Sequence, residues 1–277
     1  MESMRFRSKA LRTSLAATAI LALAGCSAAL PAPTHPAQSG QQFIAGPGSS
    51  PAVTSPPAET SGKRKEPAET TKSPNCAKVK CVALTFDDGP GAYTEDLLNL
   101  LDTYQAKATF FVIGKDVQKH PQVLKDTASR GHEIGNHSWA HQDLSKMSVS
   151  AAERDLDKTA AAVKQVTGSN PTLIRPPFGA LPAALKKDLS TPIALWSIDT
   201  QDWLTRDTKK TIKAAEAAKP GSIVLMHDIH ESTLKAMPAV LKDLKGRGFH
   251  FVTVTQILGK PKPGIGYGTG LSPTPAK

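Results

Sequence analysis

Two acidic residues and two histidines have the types and the spacing of a metal-dependent hydrolytic site. Asp87 and Asp88 end an apolar run, and His137 and His141 follow about fifty residues later. Carboxylates are costly to bury unless they are paired or coordinate a metal, and two histidines four apart can reach one ion from a helical turn. Two imidazoles and one carboxylate leave an open position for water. The same ligands could hold iron in an oxygenase, but the second, unliganded Asp favours hydrolysis.

Three further segments place polar groups at the ends of apolar runs. After Arg175, a Pro-Pro pair makes a rigid turn that could aim the amide N–H of Phe178 into a site as an oxyanion donor. Trp203 follows the next run and could wall a small apolar pocket. His227 ends another buried run, where an imidazole could act as a general acid. We interpret the remaining histidines of the folded part as structural or surface residues, namely His120, His132, His230 and His250.

Apolar strand-like runs alternate with helical patterns through the middle of the chain. The predicted strands are 81–87, 108–114, 132–136, 172–176, 192–198, 222–227 and 249–254. The predicted helices lie near 94–105, 121–130, 150–167, 183–189, 209–218 and 232–247, with Ser150 and Glu153 as a capping box for the third. Seven strands alternating with helices predict an α/β fold, either a parallel barrel or an open doubly wound sheet. In both folds, catalytic groups gather at the carboxyl ends of the strands.

The two ends of the chain differ in composition from the middle. Basic residues, a short apolar stretch and Leu-Ala-Gly-Cys predict a secretory signal over 1–25, and this end resembles a bacterial lipobox. That resemblance implies lipid on Cys26 and anchoring to the outer face of a bacterial membrane, with an ordinary cleaved signal as the alternative. The composition of residues 26–75 predicts a tether rich in Pro, Ala, Ser and Thr, and that of residues 259–277 predicts a disordered tail rich in Pro and Gly. One folded domain is therefore expected over 76–258.

Cysteine usage and charge agree with export. After Cys26 only Cys76 and Cys81 remain, and they predict a disulfide that closes a short loop; a Cys-x4-Cys zinc site lacks a partner pair. The formal net charge of +10 favours an anionic envelope. No basic motif is interleaved with aromatic residues, so we predict no nucleic-acid partner, and we expect a monomer.

Five motifs in order resemble those of the polysaccharide deacetylases of the NodB-homology type, carbohydrate esterase family 4. They are Thr-Phe-Asp-Asp-Gly-Pro at 85–90, His-Ser-x-x-His at 137–141, Arg-Pro-Pro-Phe-Gly at 175–179, Asp-x-x-Asp-Trp at 199–203 and Leu-x-His at 225–227. The resemblance covers essentially all of the folded domain. It implies a distorted (β/α) barrel with fewer strands than eight, in agreement with the seven predicted.

The resemblance also implies a role for each matching position. Asp87 resembles the catalytic base and Arg175 the residue that orients it, while His227 resembles the general acid, oriented by Asp202 in preference to Asp199. Metal ligands, usually of zinc and otherwise of cobalt or nickel, are implied at Asp88, His137 and His141. The Phe178 backbone resembles the oxyanion donor, although many relatives have Tyr there. Substrate contacts are predicted at Trp203 and Leu225, as walls of the acetyl pocket, and at Phe178 and Trp139.

The implied reaction is removal of acetyl groups from a polymer that contains N-acetylglucosamine, either peptidoglycan or chitin and its oligosaccharides. An acetylxylan esterase is one alternative. Another is a catalytically inactive, lipid-anchored sugar-binding protein. A metalloprotease is disfavoured because the histidine pair lacks the Glu of a His-Glu-x-x-His motif.

Overall fold

The computed structural model describes residues 73–270. The predicted signal, the lipid site at Cys26, most of the tether and the last part of the tail lie outside the described residues. Within 73–270, no helix has both the length and the apolar character needed to cross a membrane.

Nine short strands in the described part of the chain form one curled sheet in which every strand pairing is parallel. They lie at Cys81–Asp87 (β1), Thr109–Val112 (β2), Glu133–Asn136 (β3), Leu173–Ile174 (β4), Ile193–Ala194 (β5), Ile198–Asp199 (β6), Ile223–His227 (β7), His250–Phe251 (β8) and Gly266–Tyr267 (β9). The order is β6-β7-β1-β2-β3-β4-β5-β9, and β8 also pairs with β1. This is the distorted α/β barrel that the sequence predicts, but the described residues form nine short strands and not the seven expected.

The predicted strand over 192–198 is two strands, because its two halves have different neighbours. Ile193 in β5 pairs with β4, whereas Ile198 in β6 pairs with β7. Residues 195–197 therefore carry the chain from β5, the second strand at one side of the sheet, to β6 at the opposite edge. At this crossing the N–H of Ser197 donates to the carbonyl of Ile223 over 3.0 Å.

The helices connect the strands and cover the outside of the sheet. They run Thr94–Thr103 (α1), Gly114–Lys119 (α2), Pro121–Ser129 (α3), Val149–Thr167 (α4), Ala183–Asp188 (α5), Asp202–Thr205 (α6), Thr208–Glu216 (α7), Glu231–Gly246 (α8) and Val254–Leu258 (α9). The predicted capping box at Ser150 and Glu153 is wrong. Helix α4 begins earlier because Ser148 is extended and its hydroxyl accepts from the N–H of Ala151.

The core is built around β1, which is buried along its whole length. A parallel strand covered on both faces needs a continuous apolar run, and residues 81–86 supply one apart from Thr85. Phe86 stacks on Phe110 with ring centroids 5.3 Å apart. This packing fixes the carboxyl end of β1, which carries the two acidic residues.

The last described residues belong to the fold. Tyr267 in β9 is 6% exposed, and its hydroxyl accepts from the N–H of Lys262 over 2.8 Å. Strand β9 pairs with β5, so the prediction of a disordered tail from residue 259 is wrong for 259–270. Prolines and glycines dominate this segment, but a buried Tyr, a two-residue ladder and hydrogen bonds from Gly264, Thr269 and Gly270 hold it on the domain.

A disulfide joins Cys76 to Cys81, as the sequence predicts, with Cα atoms 5.4 Å apart. It closes a short loop immediately before β1. The bridge therefore attaches the segment that precedes the domain to the first residue of the central strand.

Candidate active site

A cavity of about 310 Å³ opens at the carboxyl ends of the strands. Nine residues that the sequence singled out line it: Asp87, Asp88, His137, His141, Phe178, Asp199, Trp203, Leu225 and His227. Arg175 and Asp202 lie behind these walls and are fully buried. A larger cavity of about 420 Å³, beside α4 and α5, has none of the predicted site residues in its lining. Residue chemistry, and not volume, therefore identifies the site.

Asp88, His137 and His141 converge on one point. The Oδ1 atom of Asp88 lies 3.5 Å from Nε2 of His137 and 3.6 Å from Nε2 of His141. This oxygen is buried and has no hydrogen-bond partner among the described residues. A buried carboxylate oxygen is normally paired, hydrogen-bonded or bound to a metal. The orphaned oxygen beside two imidazole nitrogens fits a divalent cation.

His137 has the tautomer and the charge of a metal ligand. Its Nδ1 lies 2.6 Å from the carbonyl oxygen of Arg175, so Nδ1–H donates and Nε2 keeps its lone pair toward Asp88. Burial lowers the pKa of His137 to about 3, which keeps the ring neutral.

The histidine pair does not lie on a helix, in contrast to the helical turn expected from its spacing. Residues 137–141 form a loop after β3, with left-handed backbone at Ser138 (φ 71°) and His141 (φ 56°). The hydroxyl of Ser138 accepts from the N–H of His141, and Asn136 Oδ1 accepts from the N–H of Ser138. These local bonds direct both imidazoles to one side despite the strained backbone.

Asp87 is held by Arg175 in a buried ion pair. Nη1 of Arg175 donates to Oδ1 of Asp87 over 2.8 Å, while Oδ2 of Asp87 lies 3.7 Å from Nε2 of His137. Burial raises the pKa of Asp87, and the charge of Arg175 opposes that rise. One carboxylate oxygen is thus occupied by the guanidinium, and the other lies toward His137.

The guanidinium of Arg175 is itself fixed on every side. It donates to Thr85 Oγ1 over 2.7 Å and to the carbonyls of Ala194 and Leu195 over 3.2 and 2.9 Å. It also stacks on the ring of Phe111, with Cζ 4.0 Å from the centroid. Through its bonds to the carbonyls of residues 194 and 195, the orientation of Asp87 depends on the position of the backbone at the end of β5.

His227 lies in register with Asp87 on the neighbouring strand and is oriented by Asp202. Nδ1 of His227 lies 2.8 Å from Oδ1 of Asp202, whose Oδ2 accepts from the His227 amide and from Thr233 Oγ1. Burial alone would lower the pKa of His227, but the hydrogen bond to Asp202 and the nearby carboxylates raise it to about 8. Asp199 lines the cavity, where its Oδ1 accepts from the N–H of Gln201. Of the two candidates, the structure brings Asp202 to His227.

Phe178 presents its backbone and its ring to the cavity. Its φ of 59° places it in the left-handed region, and its N–H has no acceptor among residues 73–270. The side chain is 69% exposed, and its ring meets His141 edge to face with centroids 5.1 Å apart. Trp203 is 46% exposed on α6, and the buried Leu225 also lines the cavity. An unbonded amide, two exposed rings and an apolar floor suit a small acyl group on a larger sugar.

Trp139 is not part of this cavity, and the prediction that it contacts substrate is not supported. Its ring packs so closely on Gly114 that a Cβ there would lie 2.4 Å from it, and Lys158 Nζ lies 3.7 Å from the ring centroid. The left-handed turn at Ser138 directs the Trp139 side chain toward α2 and α4, away from the histidines on either side of it.

Five residues that sequence reasoning did not place in the cavity lining also line it: Pro176, Trp196, Arg206, Ile229 and His230. His230 lies beside His227, with ring centroids 5.9 Å apart, so its interpretation as a structural or surface residue is wrong. Its position three residues after His227, just past the end of β7, was the available signal. Trp196 and Arg206 lie outside the strands, where hydrophobic periodicity carries no information.

A curled parallel sheet with two acidic residues, a histidine pair and an Asp-oriented histidine at its strand ends defines a polysaccharide deacetylase fold and site. The family model described as polysaccharide deacetylase matches residues 74–191. The chain belongs to the polysaccharide deacetylase family.

Three relatives show the extent of the similarity. A peptidoglycan N-acetylglucosamine deacetylase of Listeria monocytogenes is 40% identical over 189 residues, which are 68% of this chain and 41% of the relative. The matched region thus spans less than half the length of that protein. A peptidoglycan N-acetylglucosamine deacetylase of Bacillus cereus is 38% identical over 68% of this chain and 92% of the relative. A solved structure described as T48 deacetylase with substrate is 45% identical, covers 70% of this chain and 98% of its own, and has a TM-score of 0.68.

Proposed function

We propose that the chain is a metal-dependent hydrolase that removes acetyl groups from the N-acetylglucosamine of a polysaccharide, with peptidoglycan as the first candidate. The observation that carries this proposal is the orphaned Oδ1 of Asp88 between two imidazoles, in one cavity with the Asp87–Arg175 and His227–Asp202 pairs. An inactive sugar-binding protein would not need these two oriented pairs.

Asp88, His137 and His141 would hold the metal, and we propose zinc, with cobalt or nickel as other candidates. A divalent metal bound there supplies Lewis-acid activation of water and of the acetyl carbonyl. The hydrogen bond from Nδ1 of His137 to the Arg175 carbonyl orients the ring for this task and makes it a better ligand.

Asp87 acts as the general base. Its Oδ1 is occupied by Arg175, so Oδ2 accepts the proton of the attacking water. The buried guanidinium keeps the carboxylate ionised against the cost of burial and fixes its orientation.

The amide N–H of Phe178 donates to the acetyl oxygen as negative charge develops there. A preorganised donor of this kind contributes roughly 3 kcal/mol to transition-state stabilisation. The Phe side chain has no hydroxyl, so the backbone alone carries this role, and the exposed ring is left to contact the sugar.

His227 acts as the general acid. With Nδ1 bound to Asp202, its other nitrogen donates a proton to the amide nitrogen as the carbon–nitrogen bond breaks. The water oxygen has by then bonded to the acetyl carbon, so the products are acetate and a free amine on the sugar. Without that proton, an amide nitrogen is a very poor leaving group.

The polymer is proposed from the shape of the site and from the relatives. An open cavity of about 310 Å³ holds an acetamido group and part of one sugar, with the rest of a chain lying across Phe178 and Trp203. Two of the relatives are named for action on the N-acetylglucosamine of peptidoglycan.

We also propose that the protein works outside the cytoplasm as a monomer, held to a bacterial membrane by lipid on Cys26. The lipobox-like sequence and the Pro-rich segment after it support this location. Fractionation of cells that express the wild type or Cys26→Ala tests it: the wild type should stay with the membrane, and the variant should be released or retained unprocessed.

Acetate release is the direct test of the proposed activity. The purified chain is incubated with zinc and peptidoglycan, chitooligosaccharides or acetylxylan, with a chelated sample and Asp87→Asn as controls. Metal-dependent release from the amide substrates is expected. Release from acetylxylan alone would make the protein an esterase, and metal binding without release from any substrate would favour a sugar-binding protein.

A further inference from the structure

A cation with no ion-pair partner among residues 73–270 lies on the wall of the active-site cavity. Arg206 directly follows α6, lines the cavity and has a left-handed backbone with φ 50°. Its N–H donates to the carbonyl of Asp202 over 3.1 Å. Asp202 also orients His227, so the backbone of Arg206 is held at a set position relative to the general acid.

The carboxylates nearest in sequence are all engaged elsewhere. Asp199 accepts from the N–H of Gln201, and Asp207 caps α7 by accepting from the amides of residues 209 and 210. Asp202 is bound to His227, to Thr233 and to the amide of residue 203. Within residues 73–270 the guanidinium of Arg206 forms no ion pair and no side-chain hydrogen bond. A cation that faces a substrate cavity with its donors unused is available to a substrate anion.

The neighbours of Arg206 are those of a sugar site. Trp203 and Leu204, on the same turn of helix, are 46% and 61% exposed, and His230 lies on the wall beside them. Burial, and next the charge of Arg206, lower the pKa of His230, so this imidazole is neutral at pH 7 and Arg206 carries the positive charge among these neighbours.

We propose that Arg206 is a specificity-determining residue that binds a carboxylate of the glycan, on the sugar next to the one that is deacetylated or on its substituent. The inference rests on the proposed function and narrows its substrate class to N-acetylated glycans that carry carboxylates. Peptidoglycan strands freed of their peptides carry a lactyl carboxylate on every second sugar, whereas chitin carries none. The planar guanidinium matches a carboxylate with two parallel hydrogen bonds.

Binding to three ligands tests the proposal independently of turnover. The ligands are peptide-free peptidoglycan strands, the same strands with their carboxylates converted to methylamides, and chitooligosaccharides. Affinities are measured by calorimetry in Asp87→Asn, which removes the base, with and without Arg206→Gln. Arg206→Gln should weaken binding of the carboxylate strands about tenfold or more, because the substitution removes the hydrogen bonds between the guanidinium and the charged carboxylate. The loss should be several times smaller for the amidated strands and for chitooligosaccharides.

Two further variants separate recognition from general charge and from folding. Lys210→Gln removes an equal charge from an exposed residue that does not line the cavity, and it should not discriminate among the three ligands. Arg206→Lys keeps the charge without the planar pair of donors, and its loss on the carboxylate strands should lie between those of the wild type and Arg206→Gln.

Equal losses on all three ligands would show that Arg206 only supports α6, and would overturn the proposal. It would also be overturned if the parent protein bound carboxylate and amidated strands equally well. The proposed activity is judged separately, by acetate release from the wild type, so either hypothesis can fail alone.

Discussion

The guanidinium of Arg175 and the carboxylate of Asp87 form an ion pair that is completely enclosed, with Nη1 2.8 Å from Oδ1 and side chains 0% and 3% exposed. Burying such a pair costs solvation free energy, and it is tolerated because the guanidinium has further hydrogen-bond partners at Thr85, Ala194 and Leu195. The ion pair fixes the orientation of Asp87, and the charge of Arg175 favours the ionised form of this buried carboxylate.

Removal of the cation tests this dependence. Arg175→Met should abolish activity and destabilise the fold by about 3–5 kcal/mol, because it leaves a buried carboxylate unpaired. The double variant Arg175→Met/Asp87→Asn should recover part of that stability, since no charge remains. Urea unfolding of both variants measures the difference; equal stabilities would mean that the ion pair carries no such coupling.

The two adjacent acidic residues should respond differently to the same substitution. Asp87→Asn should keep the metal and reduce turnover by a factor of 10² to 10⁴ or more, as for loss of a general base. Asp88→Asn should lose the metal, because Oδ1 of Asp88 is the oxygen that faces both imidazoles. Elemental analysis after dialysis, together with acetate release, decides this. Metal loss in Asp87→Asn with retention in Asp88→Asn would exchange the two roles.

The alkaline limit of activity should depend on Asp202. The general acid must be protonated, so activity falls as pH rises through the pKa of His227, which is about 8. Asp202→Asn removes the charge that raises this pKa, so the alkaline limb should move to lower pH and the maximal rate should fall. Asp199→Asn is the matched control, since Asp199 lines the cavity without bonding to His227. A shift in the control and not in Asp202→Asn would assign the orienting role to Asp199.

The leaving group should decide how much the general acid matters. His227→Ala is expected to lower the rate on acetamido sugars far more than on acetyl esters, because an alkoxide leaves more readily than an unprotonated amine. The ratio of kcat values on a chitooligosaccharide and on an acetylated xylan measures this. Similar losses on both would count against proton donation by His227.

A histidine far from the site should make the fold sensitive to acid. His132 is buried, its Nδ1 accepts from the N–H of Ala108 over 3.2 Å, and its Nε2 has no partner among the described residues. Burial, and then the charge of Lys107, lower its pKa from 6.5 to about 4. The unfolded chain binds this proton first, so stability should be lost as pH falls from 6.5 to 4, by roughly 3 kcal/mol in total.

Unfolding in urea at several pH values checks this contribution in protein that has been treated with a chelator. His132→Asn keeps an acceptor near Ala108 and does not titrate in this range. The stability difference between the wild type and the variant should therefore change between pH 7 and pH 4. A difference that is constant with pH would show that His132 is not the group responsible.

The sequence by itself determined the fold class and most of the site. Apolar runs that end in Asp87 and His227 predicted parallel strands with polar ends, and parallel strands bring their carboxyl ends to one edge. For that reason residues 140 positions apart in the chain could be assigned to a single site, and the register of β1 with β7 sets them side by side.

Only the tertiary structure decided which side chains face the site. The motif resemblance favoured Asp202 over Asp199 without fixing either side chain, and it is α6 that turns Asp202 toward His227 and leaves Asp199 on the wall. Left-handed backbone at Ser138 brings His141 in and turns Trp139 out, a conformation that the residue types do not predict. The sequence did not predict that Arg206 and His230 line the cavity, because both lie outside the strands. In a strand, side-chain direction follows the alternation of the chain, whereas in a loop it depends on long-range packing.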